Sequence, residues 1–155
     1  MGMFDYVDCD DERVVCPNGH QLKSLQTKDL DNVCGTIVIA GGAFAGQYKG
    51  PLGRTPTDAD KPLTSTIDIY EDCDECPVLL TRNKMRDGCK FTTIHTMWCE
   101  FTLTIVDNVV TDVKRISETF DEWIASAPTK PYLVDYEGPM TFAEAQAIMH
   151  ARNEP

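Results

Sequence analysis

Residues 98–116 constrain the fold more than any other stretch of the chain. Cys99, Phe101, Leu103 and Ile105 fall on one side of an extended segment, and Val109, Thr111 and Val113 fall on one side of a second. Side chains alternate faces along a strand, so this is the pattern of two half-buried strands folded back on one another. Both apolar sets are odd-numbered, and keeping them on the same side of a sheet requires a connection of odd length. The three-residue turn Val106-Asp107-Asn108 supplies it, with Asn108 in the left-handed conformation that such loops require. The same register sets Glu100 opposite Lys114, a favourable cross-strand pair.

Further strands are expected upstream. Residues 32–40 are short, apolar and β-branched, with Val33, Ile37, Val38 and Ile39. Residues 63–71 alternate, with Leu63, Ile67 and Ile69 on one face and Thr64, Thr66 and Asp68 on the other. Between these two strands glycine and proline dominate residues 41–62, which reads as a long, mobile surface loop. Helices are expected late. Ser117 is the expected N-cap of a short helix to about Ala127, stopped by Pro128, with Phe120, Trp123 and Ile124 as its apolar face. Thr141 and Glu144 have capping-box spacing at the head of a helix over residues 142–152. Residues 132–136 form a candidate edge strand between the two helices. Strands first and helices after them define an α+β, mostly β fold: an antiparallel sheet with one or two C-terminal helices.

The chain has 155 residues, which fits a single domain over 1–155 with a core large enough to fold without staples. No apolar run is long enough to span a membrane, and residues 1–6 carry neither a basic region nor an apolar stretch, so neither membrane insertion nor a secretory leader is expected. The formal net charge of -11 disfavours direct nucleic-acid binding, because a phosphate backbone would be repelled, and favours a basic protein partner. The plainer explanation of the same charge is solubility. Oligomeric state is not legible from the sequence.

Seven cysteines are many for a chain expected in a reducing cytoplasm, where metal binding is a better explanation than disulfides. Cys16-Pro17-Asn18-Gly19-His20 begins as zinc knuckles begin: cysteine, proline, then a glycine-containing turn that brings the next ligand to the sulfur. Cys73-Asp74-Glu75-Cys76-Pro77 holds two cysteines three apart, which can bind one ion in a tight turn. Together Cys16, His20, Cys73 and Cys76 make a Cys3His zinc site that clips the N-terminal segment to the strand ending at Glu71. Cys9 and Cys89 are replacement ligands should His20 not serve. The competing explanation is that these are buried thiols behaving as small apolar groups, which Cys99 and Cys34 fit best. A redox role for Cys73 and Cys76 is disfavoured by the acidic residues around them, which oppose thiolate formation.

No catalytic residues are assigned. H-E-x-x-H and G-x-S-x-G are missing, and His95 is followed by Thr96-Met97 where a zinc deaminase would have H-x-E. Gly41 to Gly46 has the outer glycine spacing of a phosphate-binding loop, but Gln47 and Tyr48 stand where lysine and Ser/Thr are needed. His95 reads as a packed or surface histidine and His150 as a helix-end cation. Asp5, Asp8, Asp10, Asp11 and Glu12 form an acidic cluster that is the candidate partner-binding surface, against the plainer reading of a solvated end.

The opening Met1-Gly2-Met3-Phe4-Asp5-Tyr6-Val7, with Gln26-Thr27-Lys28-Asp29-Leu30 further on, resembles a group of small uncharacterised proteins of bacteria and their phages. Members begin M-G-M-F-D, carry a C-P-x-C-G knuckle before a Q-T-K segment, and later have C-x-x-C followed by a strand-turn-strand. This chain departs at the knuckle, where Gly19 stands in place of the second cysteine and His20 follows. The resemblance implies zinc and a phage or prophage setting, and brings no activity with it.

Taken together, these features lead to the expectation of a non-enzymatic, zinc-stabilised binding protein of the bacterial or phage-infected host cytoplasm, an accessory factor acting on a host or phage protein. The alternatives are a structural component of a phage or bacterial particle and a small zinc-dependent enzyme. A fourth protein ligand at the metal favours binding or structure, and an open coordination position favours catalysis.

Overall fold

The computed structural model describes residues 4–30, 34–44, 62–84, 90–130 and 135–153. Contacts divide the chain into two compact units. The first is a closed barrel of seven strands in the order β1-β2-β5-β8-β9-β4-β3. These are β1 (Asp5–Cys9), β2 (Ser24–Thr27), β3 (Thr36–Ala40), β4 (Ala43–Phe44), β5 (Ser65–Cys73), β8 (Met97–Val106) and β9 (Val109–Arg115). β1 pairs antiparallel with β2 and parallel with β3, which closes the ring. Alternate residues fill the inside: Val7 and Cys9 of β1, Leu25 of β2, Ile37 and Ile39 of β3, Ile67 and Ile69 of β5 are all buried.

The hairpin expected over 98–116 is present, and all four odd residues of its first strand, Cys99, Phe101, Leu103 and Ile105, are buried. The turn differs from expectation. It has two residues, Asp107 (φ 49°) and Asn108 (φ 67°), and Val106 pairs with Val109 inside the ladder. Asp and Asn both tolerate the left-handed region, which suits this tight turn. It is also tethered: the Leu63 N–H donates to Asn108 Oδ1 (2.6 Å), and the Asn108 N–H donates to the Leu63 carbonyl (2.9 Å). A bulge next to Thr104 then inserts one extra residue in β9, so that Ile105 faces Val110 but Thr104 faces Asp112. Two residues of turn plus one of bulge restore the odd parity the pattern demands. Two expectations are thereby corrected. Val110 at 4% exposure, not Val109 at 50%, enters the core at the turn. Lys114 lies opposite Thr102 instead of Glu100.

β3 begins at Thr36, later than the expected strand, and Cys34 before it is exposed with φ 58°. The chain bends there because the Gly35 N–H donates to the Asp5 carboxylate (2.9 Å) while its carbonyl accepts from the Tyr6 N–H (2.8 Å). Cys34 is therefore no buried thiol. Gly41 and Gly42, both at positive φ, make a two-residue turn joining β3 to β4, where a loop was expected from residue 41. The remainder of that loop, 45–61, lies outside the described residues.

The second unit holds a three-stranded sheet in the order β10-β6-β7, from β6 (Val78–Lys84), β7 (Lys90–His95) and β10 (Glu137–Met140). Helix α2 (Phe142–Asn153) packs on it, and Val78, Leu80 and Ala145 form a core with Ile94, Met140, Phe142 and Ile148. Its capping box is as expected: the Glu144 N–H donates to Thr141 Oγ1 (3.2 Å) and the Thr141 N–H to Glu144 Oε2 (2.9 Å). Helix α1 (Phe120–Ser126) is capped by Thr119 and not by Ser117. Thr119 and Glu122 form a second capping box, whereas Ser117 Oγ accepts the Glu100 N–H (3.1 Å) and belongs to the end of the hairpin. A 3-10 turn (Ala127–Thr129) containing Pro128 ends α1. Of the candidate edge strand, 132–134 lie outside the described residues. Asp135 is a turn residue with φ 54°, and the strand follows at β10. Among the described residues no helix is long and apolar enough to cross a membrane.

Candidate metal centre

The first half of the site is a tight turn. The Gly19 N–H donates to the Cys16 carbonyl (2.8 Å), which closes a β-turn with Pro17 and Asn18 in its middle. Proline suits the first central position because its ring presets φ. Gly19 then takes φ 86°, which brings the chain back so that the Cys16 N–H donates to the His20 carbonyl (2.9 Å). A bridge between Val15 and Gln21 continues the closure. The Gln21 amide donates to the carbonyls of Asp11, Val14 and Leu22 (3.1–3.2 Å), fixing the base of the turn. Neither Gln21 nor its role is visible in motif spacing, because any polar residue could follow a knuckle in sequence.

This turn aims two ligand atoms at one point. Cys16 Sγ lies 3.3 Å from His20 Nδ1 and also accepts the His20 backbone N–H at 3.3 Å. Such outer contacts orient a metal ligand. The second half follows from β5, whose last residue is Cys73; Asp74 and Glu75 turn outward, Cys76 turns back in, and Pro77 precedes β6. Cys16, Cys73 and Cys76 are each 1% exposed, and His20 is half-buried.

The four ligand atoms of Cys16, His20, Cys73 and Cys76 all lie within 4.8 Å of one another. With ordinary Zn–S and Zn–N lengths, a tetrahedral site has edges of about 3.6–3.8 Å. No separation exceeds that by more than about 1 Å. Among the described residues no cysteine is in a disulfide. The fold therefore brings together the four residues named from the sequence, and a site of three sulfurs and one imidazole can hold a metal ion. Of the replacement ligands, Cys9 faces the barrel interior, where burial pushes its thiol pKa up and disfavours the thiolate. Cys89 lies outside the described residues.

The acidic cluster does not form one surface. Tyr6 and Asp8 point outward from β1, while Asp5 is fully buried at an inward position. Asp11 is 6% exposed and clamped by Arg13, whose Nε and Nη2 donate to its two oxygens at 2.9 and 2.7 Å. Asp8, Asp10 and Glu12 are exposed. His95 Nε2 is 2.7 Å from the hydroxyl of buried Thr81, and burial lowers its pKa, as for a packed histidine.

Comparison of the chain with models of known families, with curated proteins and with solved structures returned no match.

Proposed function

We propose that this chain is a non-enzymatic binding protein stabilised by one zinc ion, a phage or prophage accessory factor that engages a basic host or phage protein in the bacterial cytoplasm. The observation that carries the reading is the composition of the metal centre: four protein side chains, three of them buried cysteines, converge on one point. A site filled by four protein ligands leaves no position for an activated water, which is the signature of a structural ion. Three sulfurs and an imidazole favour zinc over hard cations. The phage setting is supported by the opening motif and the Q-T-K segment alone. The partner chemistry is supported by the net charge of -11 and by exposed Asp8, Asp10 and Glu12.

The test is capture of a partner from the native host by the metal-loaded protein, followed by a salt series on the purified complex. Association should slow steeply as salt rises, and the Asp8→Asn/Asp10→Asn/Glu12→Gln variant should slow association more than it speeds dissociation. Salt-insensitive association would reject the electrostatic reading. Turnover of a substrate that disappears with the metal would reject the binding role itself.

A further inference from the structure

The outside of the barrel carries an aromatic row that the metal centre does not use. Register places Thr36 of β3 beside Tyr6 of β1, Tyr6 beside Gln26 of β2, and Gln26 beside Tyr70 of β5. On β8, the next strand of the ring, Trp98 stacks on Tyr70 with ring centroids 5.1 Å apart and planes 25° from parallel. Phe4 packs edge-on against Tyr6 at 5.3 Å. Trp98 is 47% exposed and Tyr6 43%, so the row presents ring surface to solvent.

Carboxylates stand beside Trp98 and Tyr70. Trp98 Nε1 donates to Glu100 Oε2 at 3.4 Å, which puts a carboxylate at the edge of the indole. Asp68 Oδ1, on the strand of Tyr70, accepts from the hydroxyl of Thr102 on the strand of Trp98 (2.7 Å), and Asp29 Oδ2, just past β2, accepts the Asp68 N–H (2.6 Å). The Tyr70 phenol has its pKa raised, first by burial and then by Asp29, Glu100 and Glu71, so it sits in their negative field. Lys114, beside Thr102 on β9, lies at the margin of this face.

We propose that this face, Tyr6–Tyr70–Trp98 with Glu100 and Asp29, is a docking surface for a protein segment that presents arginine. A guanidinium can lie flat on the exposed indole while its N–H fork meets a carboxylate at the ring edge; an ammonium, a compact and strongly hydrated point charge without a planar fork, does so less well. Bare nucleic acid also stacks on aromatic rows, but its phosphates would meet Glu100, Asp29 and Asp68 here. The inference rests on the reading of the chain as a partner-binding protein, and it names the surface and the partner's chemistry.

The test uses the full, metal-loaded chain and two unstructured peptides of equal length and charge, one arginine-based and one lysine-based, at physiological salt. The arginine peptide should shift the Trp98 indole N–H resonance, leave that of buried Trp123 in place, and bind roughly tenfold more tightly than the lysine peptide. Trp98→Ala should erase that preference, Trp98→Phe should keep most of it, and Glu100→Gln should weaken the arginine peptide selectively. Equal affinity for the two peptides, no movement of the Trp98 resonance, or a preference for single-stranded RNA or an oligosaccharide at this row would overturn the inference. If Trp98→Ala leaves salt-sensitive partner capture intact, this surface is rejected and the binding reading stands. If capture is insensitive to salt while Trp98 still responds to arginine, the failure belongs to the proposed electrostatic function and not to this surface.

Discussion

Cys16 Sγ lies 3.3 Å from His20 Nδ1 and accepts the His20 backbone N–H at the same distance, so the turn between them is already set in a ligand geometry. Its hydrogen bonds are made by the backbone and by Gln21, and Cys73 and Cys76 stand within 4.8 Å to complete the set. The expected stoichiometry is about one zinc per chain by elemental analysis of purified protein. Cys73→Ser should lose the metal and lower the melting temperature, because the energy of closing the site is folding energy. Cys34→Ser, at an exposed cysteine away from the cluster, should change neither. Fully folded, metal-free wild type with an unaltered melting curve would exclude a structural ion.

Leu103 and Thr102 are neighbours on β8 that face opposite ways, and the barrel makes them unequal. Leu103 is fully buried, whereas Thr102 is half-buried and donates its hydroxyl to Asp68. Leu103→Ala should cost about 2–5 kcal/mol in urea denaturation. Thr102→Ala should cost about 0.5–1.5 kcal/mol, the usual net value of one hydrogen bond. Comparable small losses at both positions would mean that β8 does not line a packed interior.

The same strands show what a sequence pattern can and cannot carry. Parity alone placed Cys99, Phe101, Leu103 and Ile105 in the core, because side-chain alternation survives any change of turn that preserves oddness. It could not separate a three-residue loop from a two-residue turn plus a bulge, since both satisfy that parity; the tether from Leu63 to Asn108 is a long-range contact with no local signal. β1 was hidden for a different reason. Its inward residues are Asp5, Val7 and Cys9, and an aspartate at a core position reads as part of an acidic tail until the Gly35 N–H that satisfies it is known. The four candidate ligands are legible because a tight turn imposes its own spacing within each half of the site. Trp98 lies on the polar-parity face of the hairpin, where a large aromatic is a sequence signal for an exposed ring.

Thr141 ties α2 to the end of β10, and its capping box with Glu144 satisfies N–H groups at the head of the helix that would otherwise lack partners. Thr141→Ala should destabilise the protein by about 1 kcal/mol, while Thr141→Ser should be nearly neutral because it keeps the accepting oxygen. Amide hydrogen exchange is the sharper readout: the first turn of α2 should lose protection in the alanine variant while Val78 and Leu80, deep in the same unit, should not. Uniform loss across the unit would show that the cap contributes to global stability alone.

Arg13 and Asp11 predict a pH dependence whose sign can be reversed by one substitution. Three hydrogen bonds reach the Asp11 carboxylate from Arg13, through its backbone N–H, Nε and Nη2, and Nη2 also donates to the Val110 carbonyl (2.9 Å). The Arg13 side-chain hydrogen bonds hold the Asp11 pKa below the usual carboxylate range; burial opposes them, and the Arg13 backbone N–H and charge add to the lowering. The folded protein therefore binds fewer protons at Asp11 than the unfolded chain does. This stabilisation is present above the unfolded-state carboxylate pKa and is lost as pH falls through the lower folded value. In Arg13→Ala the backbone N–H of residue 13 still donates to the carboxylate, but burial, the larger of the two influences left, favours the protonated form, so the Asp11 contribution should fall as pH rises through the carboxylate range. Carboxyl-carbon NMR titration of Asp11 in both proteins reads the two midpoints directly, and denaturant midpoints at several pH values read the linkage. The wild type should gain over the variant as pH rises through this window. A gap that does not change with pH would show that Arg13 acts through packing and its bond to Val110, and not through the charge of Asp11.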